Sequence, residues 1–175
     1  MEQVQFPQTF PRLETERLIL REITHDDTAA IFRNFSDPEI ARWFFDQPHT
    51  DIEETEKFID QFIADFQQGK GLTWAITLKG NSQCIGTCGY GEVDMGNRGE
   101  IGFDLAQAYW SKGLMSECLD VILDYGITVL KLKKVEAHTY AYNARARHLL
   151  EKLGFDLEGI VGEDANYYLR RRISD

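Results

Sequence analysis

The chain has 175 residues, 43% of them hydrophobic and 12% aromatic, which is enough for one domain with a sizeable core and too few for two. Its 29 acidic and 19 basic residues give a formal charge of −10. That balance argues against duplex nucleic acid as the main ligand and suits a cationic partner such as an amine, besides serving solubility. Cys84, Cys88 and Cys118 form no CxxC, and His25, His49, His138 and His148 show no ligand spacing, so neither a disulfide framework nor a metal site is indicated. No run of about 18 apolar residues and no basic-then-apolar leader occurs, so no membrane partner is expected and a reduced, cytoplasmic setting is.

Residues 1–12 carry two prolines and no periodicity, and are expected to form an arm. Glu16 to Glu22 alternates as a half-buried strand. Thr24-His25-Asp26-Asp27 opens a short helix, and Asp37-Pro38-Glu39 another turn, with proline at home in the first turn. Thr50-Asp51-Ile52-Glu53 has the form of a capping box ahead of an apolar stripe from Ile52 to Phe66, ended by Gly69 and Gly71. An antiparallel meander is expected next, with strands at Thr73–Leu78, Gln83 to about Glu92 and Glu100–Leu105. In the second of these, Cys84 and Cys88 would share a face as buried thiols.

From Leu114 the apolar spacing becomes helical, Lys133–Tyr140 is a strand, and Ala144–Lys152 is a helix closed by Gly154. Two last strands are expected at Phe155–Val161 and Asn166–Ile173. The unit of strand, helix and strand is a βαβ crossover with parallel neighbours. The expected whole is a mixed, mostly antiparallel sheet with helices on its faces, in a single domain spanning 1–175.

Ligands in βαβ units gather beyond the carboxyl ends of the parallel strands. Tyr109-Trp110-Ser111-Lys112-Gly113-Leu114-Met115-Ser116-Glu117 lies there, where the crossover helix begins. Either it is an ordinary connection, or the first N–H groups of the helix, with Gly113 and Lys112, hold an anion. The nucleotide-binding glycine patterns are absent. Asn143, ahead of the next helix, fits an N-cap and equally a ligand contact.

The order E-I-G-F-D-L, Y-W-S-K-G, then N-x-x-x-x-x-L-L-E-K-L-G-F resembles the GCN5-related N-acetyltransferase (GNAT) superfamily. Together with L-E-T-E-R-L-I-L-R at Leu13 to Arg21, it is most similar to the RimJ/RimL-type branch of ribosomal-protein N-terminal acetyltransferases. The resemblance implies a seven-stranded sheet splayed open between its fourth and fifth strands, Glu100–Leu105 and Val135–Tyr140. It implies acetyl-CoA as co-substrate, without a metal. The pantetheine arm would pair with Phe103, Asp104 and Leu105. The pyrophosphate would sit on Lys112, Gly113, Leu114, Met115 and Ser116, and Asn143 would bond the arm or the thioester end. Glu100 would serve as general base or as anchor for the substrate ammonium, and otherwise is a solvated strand-end carboxylate. A backbone N–H near Leu105 would meet the oxyanion.

Two positions depart from the superfamily pattern. Met115 stands where a small residue is usual, so its side chain must turn away from the phosphates. Leu150 and Ala146 occupy the places where relatives carry a tyrosine or serine that protonates the leaving thiolate; Tyr140 or Tyr142 would have to substitute, or the thiolate leaves unaided. Trp43, Phe44 and Phe45, with Asp46, Pro48 and His49, are either acceptor-site residues or core packing. Gly162–Ala165 is shorter than the loop usual in that branch. The expected acceptor is a protein N-terminal α-amino group. A small amine such as a polyamine or aminoglycoside is the alternative, and a non-catalytic acyl-CoA-binding module is the rival from another class. A homodimer is one assembly compatible with this reading.

Overall fold

Residues 5–45, 47–161 and 166–172 are described by the structure, a computed structural model. A two-residue strand, β1 (Leu13–Glu14), turns back antiparallel onto β2 (Leu18–Glu22), with Leu13 opposite Leu20. The sheet continues through β3 (Leu72–Leu78), β4 (Cys84–Asp94), β5 (Arg98–Leu105) and β6 (Lys134–Tyr140), then β8 (Asn166–Arg172) and finally β7 (Asp156–Val161). Among the described residues it therefore has eight strands, where seven were expected. The addition is β1, too short to show an alternation. Every pairing is antiparallel except β5 with β6.

That exception shapes the molecule. β5 and β6 pair only at Arg98–Lys134, Gly99–Val135 and Glu100–Glu136. Beyond them β5 stays beside β4 as far as Leu105, and β6 stays beside β8 as far as Tyr140, so the sheet splays where the family resemblance implied an opening.

The helices are α1 (Thr28–Phe35), α2 (Pro38–Ala41), α3 (Ile52–Gln67), α4 (Leu114–Thr128) and α5 (Ala144–Lys152). Alternation along β3 divides the core between two faces. Trp74 and Ile76 join Cys118, Leu119, Ile122 and Leu123 of α4, while Ala75 joins Ile31 and Phe35 of α1 and Ile59 of α3. α3 caps one residue later than expected. Asp51 accepts from the Glu53 N–H at 3.0 Å, and Glu54 reaches back to the Asp51 N–H at 3.0 Å. D-x-x-E satisfies the same reciprocal bonding as T-x-x-E, and the sequence offers both.

Cys84 and Cys88 are buried but do not share a face. Cys84 lies with the α1 and α3 cluster, Cys88 with the α4 cluster. A register shift beside Ile76 and Thr77 pairs Ile76 with Gly86 and Thr77 with Cys84, so Ile85 is the extra residue that reverses the alternation. The arm is also more ordered than its composition suggested. Phe6 and Phe10 pack on Phe66 at centroid distances of 5.6 and 4.9 Å, and the Trp74 Nε1–H donates to the Pro11 carbonyl at 2.6 Å.

Candidate active site

A cleft of about 520 Å³ opens where β5 and β6 part. Its walls are Ile101 to Leu105, the start of α4, Ala137 to Thr139, and the face of α5 that includes Ala146, Leu149 and Leu150, with α2 and Trp43 at one side. Phe103, Asp104, Leu105, Gly113, Leu114, Met115, Ser116 and Asn143 all line it; Glu100 and Lys112 do not.

The α4 terminus is built for exposed donors. Gly113 is the N-cap at φ 75°, a left-handed conformation that suits glycine, and no side chain caps it. The first intrahelical bond runs from the Glu117 N–H to the Gly113 carbonyl at 3.1 Å, so the N–H groups of Leu114, Met115 and Ser116 have no partner within the helix. The turn is held from the far end of the chain. Arg17 donates through Nη1 to the Lys112 carbonyl at 2.9 Å and through Nε to Glu117 at 2.7 Å, while the Arg17 N–H and the Thr15 hydroxyl also bond Glu117. Burial pushes the Glu117 carboxyl up, but Thr15 and Arg17 outweigh it and hold it below the usual range.

The Met115 side chain packs against the main core, and the residue also lines the cleft. Lys112 folds back instead of facing the cleft: its ammonium donates to the Ala108 carbonyl at 2.7 Å and lies 5.6 Å from the Tyr109 ring centre. Among the described residues, the positive charge lining the cleft comes from Arg42, Arg145 and Lys152. Arg145 stacks on Trp110 at 3.7 Å, and the Trp110 indole N–H donates to the Leu105 carbonyl at 2.6 Å. Arg145 sits two residues after Asn143, in a stretch where the sequence singled out Asn143, Ala146 and Leu150 but not this arginine; its cationic character was the available signal. Asn143 does cap α5, accepting from the Ala146 N–H at 3.2 Å.

The backbone of β5 divides by parity. The Ala106 N–H bonds Ile85 of β4 at 2.8 Å, and the Asp104 carbonyl abuts Gly86 of β4. Phe103 and Leu105 therefore address the open edge, and the polar backbone of Asp104 does not. The Asp104 carboxylate is buried beneath α1, accepting from Asn34 Nδ2 at 3.0 Å and from the Thr87 N–H and hydroxyl. Burial raises its pKa against the pull of those bonds. Asp104 thus braces the cleft wall from behind.

Glu100 stands at the root of the opening with its carboxylate 3.0 Å from His138 Nδ1, and His138 lines the cleft. Sequence reasoning passed over His138 because its partner lies 38 residues away on the parallel strand. The aromatic cluster separates. Trp43 and Phe44 line the cleft, and Trp43 packs near Tyr142 and Tyr140 at 5.5 and 6.3 Å. Phe45 and His49 pack with Phe35 and Phe58, and His49 Nδ1 is 2.8 Å from the Thr55 hydroxyl. Burial lowers the His49 pKa. Asp46 and Gly162–Ala165 lie outside the described residues. Leu150, 1% exposed, and Ala146 both line the cleft without a proton to give, whereas Tyr142 lines it with a 63% exposed side chain. Among the described residues there is no metal-holding group of His, Cys, Asp and Glu, and no helix long and apolar enough to cross a membrane.

Comparison with known proteins defines the class to which this splayed sheet belongs. A family model described as an acetyltransferase (GNAT) domain matches residues 17–156, and the chain belongs to that family of N-acetyltransferases. It is 35% identical to the N-acetyltransferase YoaA of Bacillus subtilis over 153 residues, 87% of this chain and 86% of that protein. It is 25% identical to a spermidine N(1)-acetyltransferase of Vibrio cholerae over 160 residues, 91% of this chain and 89% of that protein. Its fold matches that of RimL, a ribosomal L7/L12 α-N-protein acetyltransferase solved with coenzyme A, at a TM-score of 0.82 and 18% identity, covering 93% of this chain and 98% of that one.

Proposed function

We propose that this enzyme uses acetyl-CoA to acetylate a primary amine directly, and that the amine is a protein N-terminal α-amino group. The observation that carries the reading is the three-pair ladder of β5 and β6, which leaves a strand-wide opening directly before the N-terminus of α4. An extended pantetheine arm fits beside Phe103 and Leu105. The pyrophosphate fits the N–H groups of Leu114, Met115 and Ser116, where the absence of a Cβ on Gly113 allows close approach. Arg42, Arg145 and Lys152 supply the countercharge.

Transfer begins when the ammonium of the acceptor gives up a proton at the root of the opening. The neutral nitrogen attacks the thioester carbon, the C–N bond forms, and the C–S bond breaks with its electron pair on sulfur. A backbone N–H of the β5 edge meets the developing oxyanion. CoA leaves as a thiolate; a thiol pKa of about 8.5 permits this without an acid at Leu150. A covalent acetyl-cysteine is disfavoured. All three thiols are buried and none lines the cleft; burial pushes Cys84 up to about 12, and burial with the neighbouring Cys118 pushes Cys88 up.

A second reading, a small polyamine as acceptor, is favoured by the spermidine-acetylating relative and the charge of −10. The test is calorimetric titration of acetyl-CoA with ATP and NAD as controls, followed by mass-spectrometric assay on α-amino peptides and on spermidine. Selective acetyl-CoA binding with faster peptide acetylation supports the first reading. Faster spermidine acetylation replaces it with the second, and binding without transfer to either points to a non-catalytic module.

A further inference from the structure

We propose that His138 is the proton acceptor of the acetyl transfer and that Glu100 is its positioning residue; the inference rests on the acetyl-CoA reading above. The last parallel pair is Glu100 with Glu136, so His138 is two residues past the point where β6 leaves β5. Both side chains therefore stand at the apex of the opening, where the reacting atoms must meet. Of the two, only the imidazole lines the cleft. Glu100 reaches it from the side, with Oε1 3.0 Å from Nδ1. Gly102, two residues past Glu100 on β5, also lines the cleft, and an added Cβ there would meet nothing within 4 Å, so the wall leaves room for an incoming amine.

A carboxylate at Nδ1 selects the tautomer with its proton on Nδ1 and the basic lone pair on Nε2. The ammonium proton passes to Nε2, and the amine lone pair so released attacks the thioester. The imidazolium is stabilised by Glu100 until it yields its proton to the departing thiolate or to water. Among the described residues, the neighbouring carboxylate at the apex is engaged by other partners. Glu136 is held by Arg98 at 3.4 Å and Lys134 at 3.2 Å, and Arg98 also pairs with Glu92 at 2.6 Å. Glu100 is thus the carboxylate that addresses the ring.

Two measurements test this. Nitrogen NMR of the imidazoles should show His138 as the Nδ1–H tautomer, lost in Glu100→Gln; an Nε2–H tautomer in the wild type overturns the proposal without reference to turnover. Single-turnover transfer from acetyl-CoA to an α-amino peptide and to spermidine should fall about 10²–10⁴-fold in His138→Gln. Calorimetric affinity for acetyl-CoA should stay within about twofold, and the deficit should shrink as rising pH delivers the amine already neutral. Glu100→Gln should fall less, should be partly rescued by Glu100→Asp, and should add nothing in the His138→Gln background. A rate in His138→Gln within about threefold of wild type overturns the proposal, as does a full Glu100→Gln effect in that background, which would make Glu100 the base itself. Failure of the wild type to bind acetyl-CoA would instead overturn the parent reading and this proposal with it. His25→Gln, on a surface pair with Asp60, is the control for simple loss of a histidine.

Discussion

Replacing Gly113 by aspartate separates the helix-end site from the fold that carries it. The left-handed φ of 75° makes any side chain strained, by roughly 1–2 kcal/mol. Space is not the obstacle, because an added Cβ would meet only the Arg17 guanidinium, at 3.5 Å. A carboxylate there would lie beside that guanidinium and at the positive end of α4, both favourable to the unliganded protein. A loss of about 1 kcal/mol moves the melting temperature of a chain of this size by roughly 2–4 °C. Binding should suffer far more. At about 4 Å from a phosphate oxygen, the new charge opposes it by about 4 kcal/mol at an effective dielectric of 20, or nearly a thousandfold in affinity. Gly113→Ala is the companion, with the same backbone strain and no charge. Calorimetry with CoA should show Gly113→Ala weakened by less than about tenfold and Gly113→Asp by more than about a hundredfold, with similar melting temperatures. Equal affinities in the two variants would refute the placement of phosphate on the α4 terminus.

Other outcomes follow from the packing. Thr87→Val removes a donor from the buried Asp104 carboxylate and should lower stability by about 1–3 kcal/mol in urea unfolding, with the Asp104 pKa rising further. Glu117→Gln should lose about 1 kcal/mol at neutral pH. The folded-state pKa of Glu117 lies below its ordinary value of 4.5, so its stabilisation is complete above that value and is lost as pH falls through the depressed one. The difference from wild type should therefore vanish at the acid end of a pH series of denaturation curves. Gly126→Ala would place a Cβ 2.1 Å from the Tyr90 hydroxyl, which donates to the Ile122 carbonyl at 3.0 Å; a loss of about 1–3 kcal/mol should appear as an earlier urea midpoint.

The sequence carried the strands and helices wherever periodicity was local and unbroken. The apolar stripe of α3, the change to helical spacing at Leu114 and the glycine closing α5 all correspond to elements of the structure. What escaped depended on a partner far away or on a break in alternation. Ile85 is one residue too many, and it places Cys84 and Cys88 on opposite faces. Glu100 was singled out while His138, its neighbour across the sheet, was not, because a parallel pairing leaves no trace in local spacing. Lys112 and Arg145 carry the same charge, but the Ala108 carbonyl holds one back and the Trp110 ring draws the other over the opening. A side chain's direction is decided by such neighbours, which the linear order does not reveal.

The Arg17 and Glu117 contact has a consequence for the order in which the enzyme comes into being. The two residues are 100 positions apart, and the contact fixes the turn from which α4 starts. During synthesis at about 5–20 residues per second, the N-terminal hairpin waits many seconds before the helix that completes the turn has emerged. The meander can fold in that interval on its own short-range pairings. A chain stalled before residue 117 therefore holds only strands β1 to β5 of the sheet, with the helix-end turn unfinished and the opposite wall of the cleft, β6 and α5, not yet made.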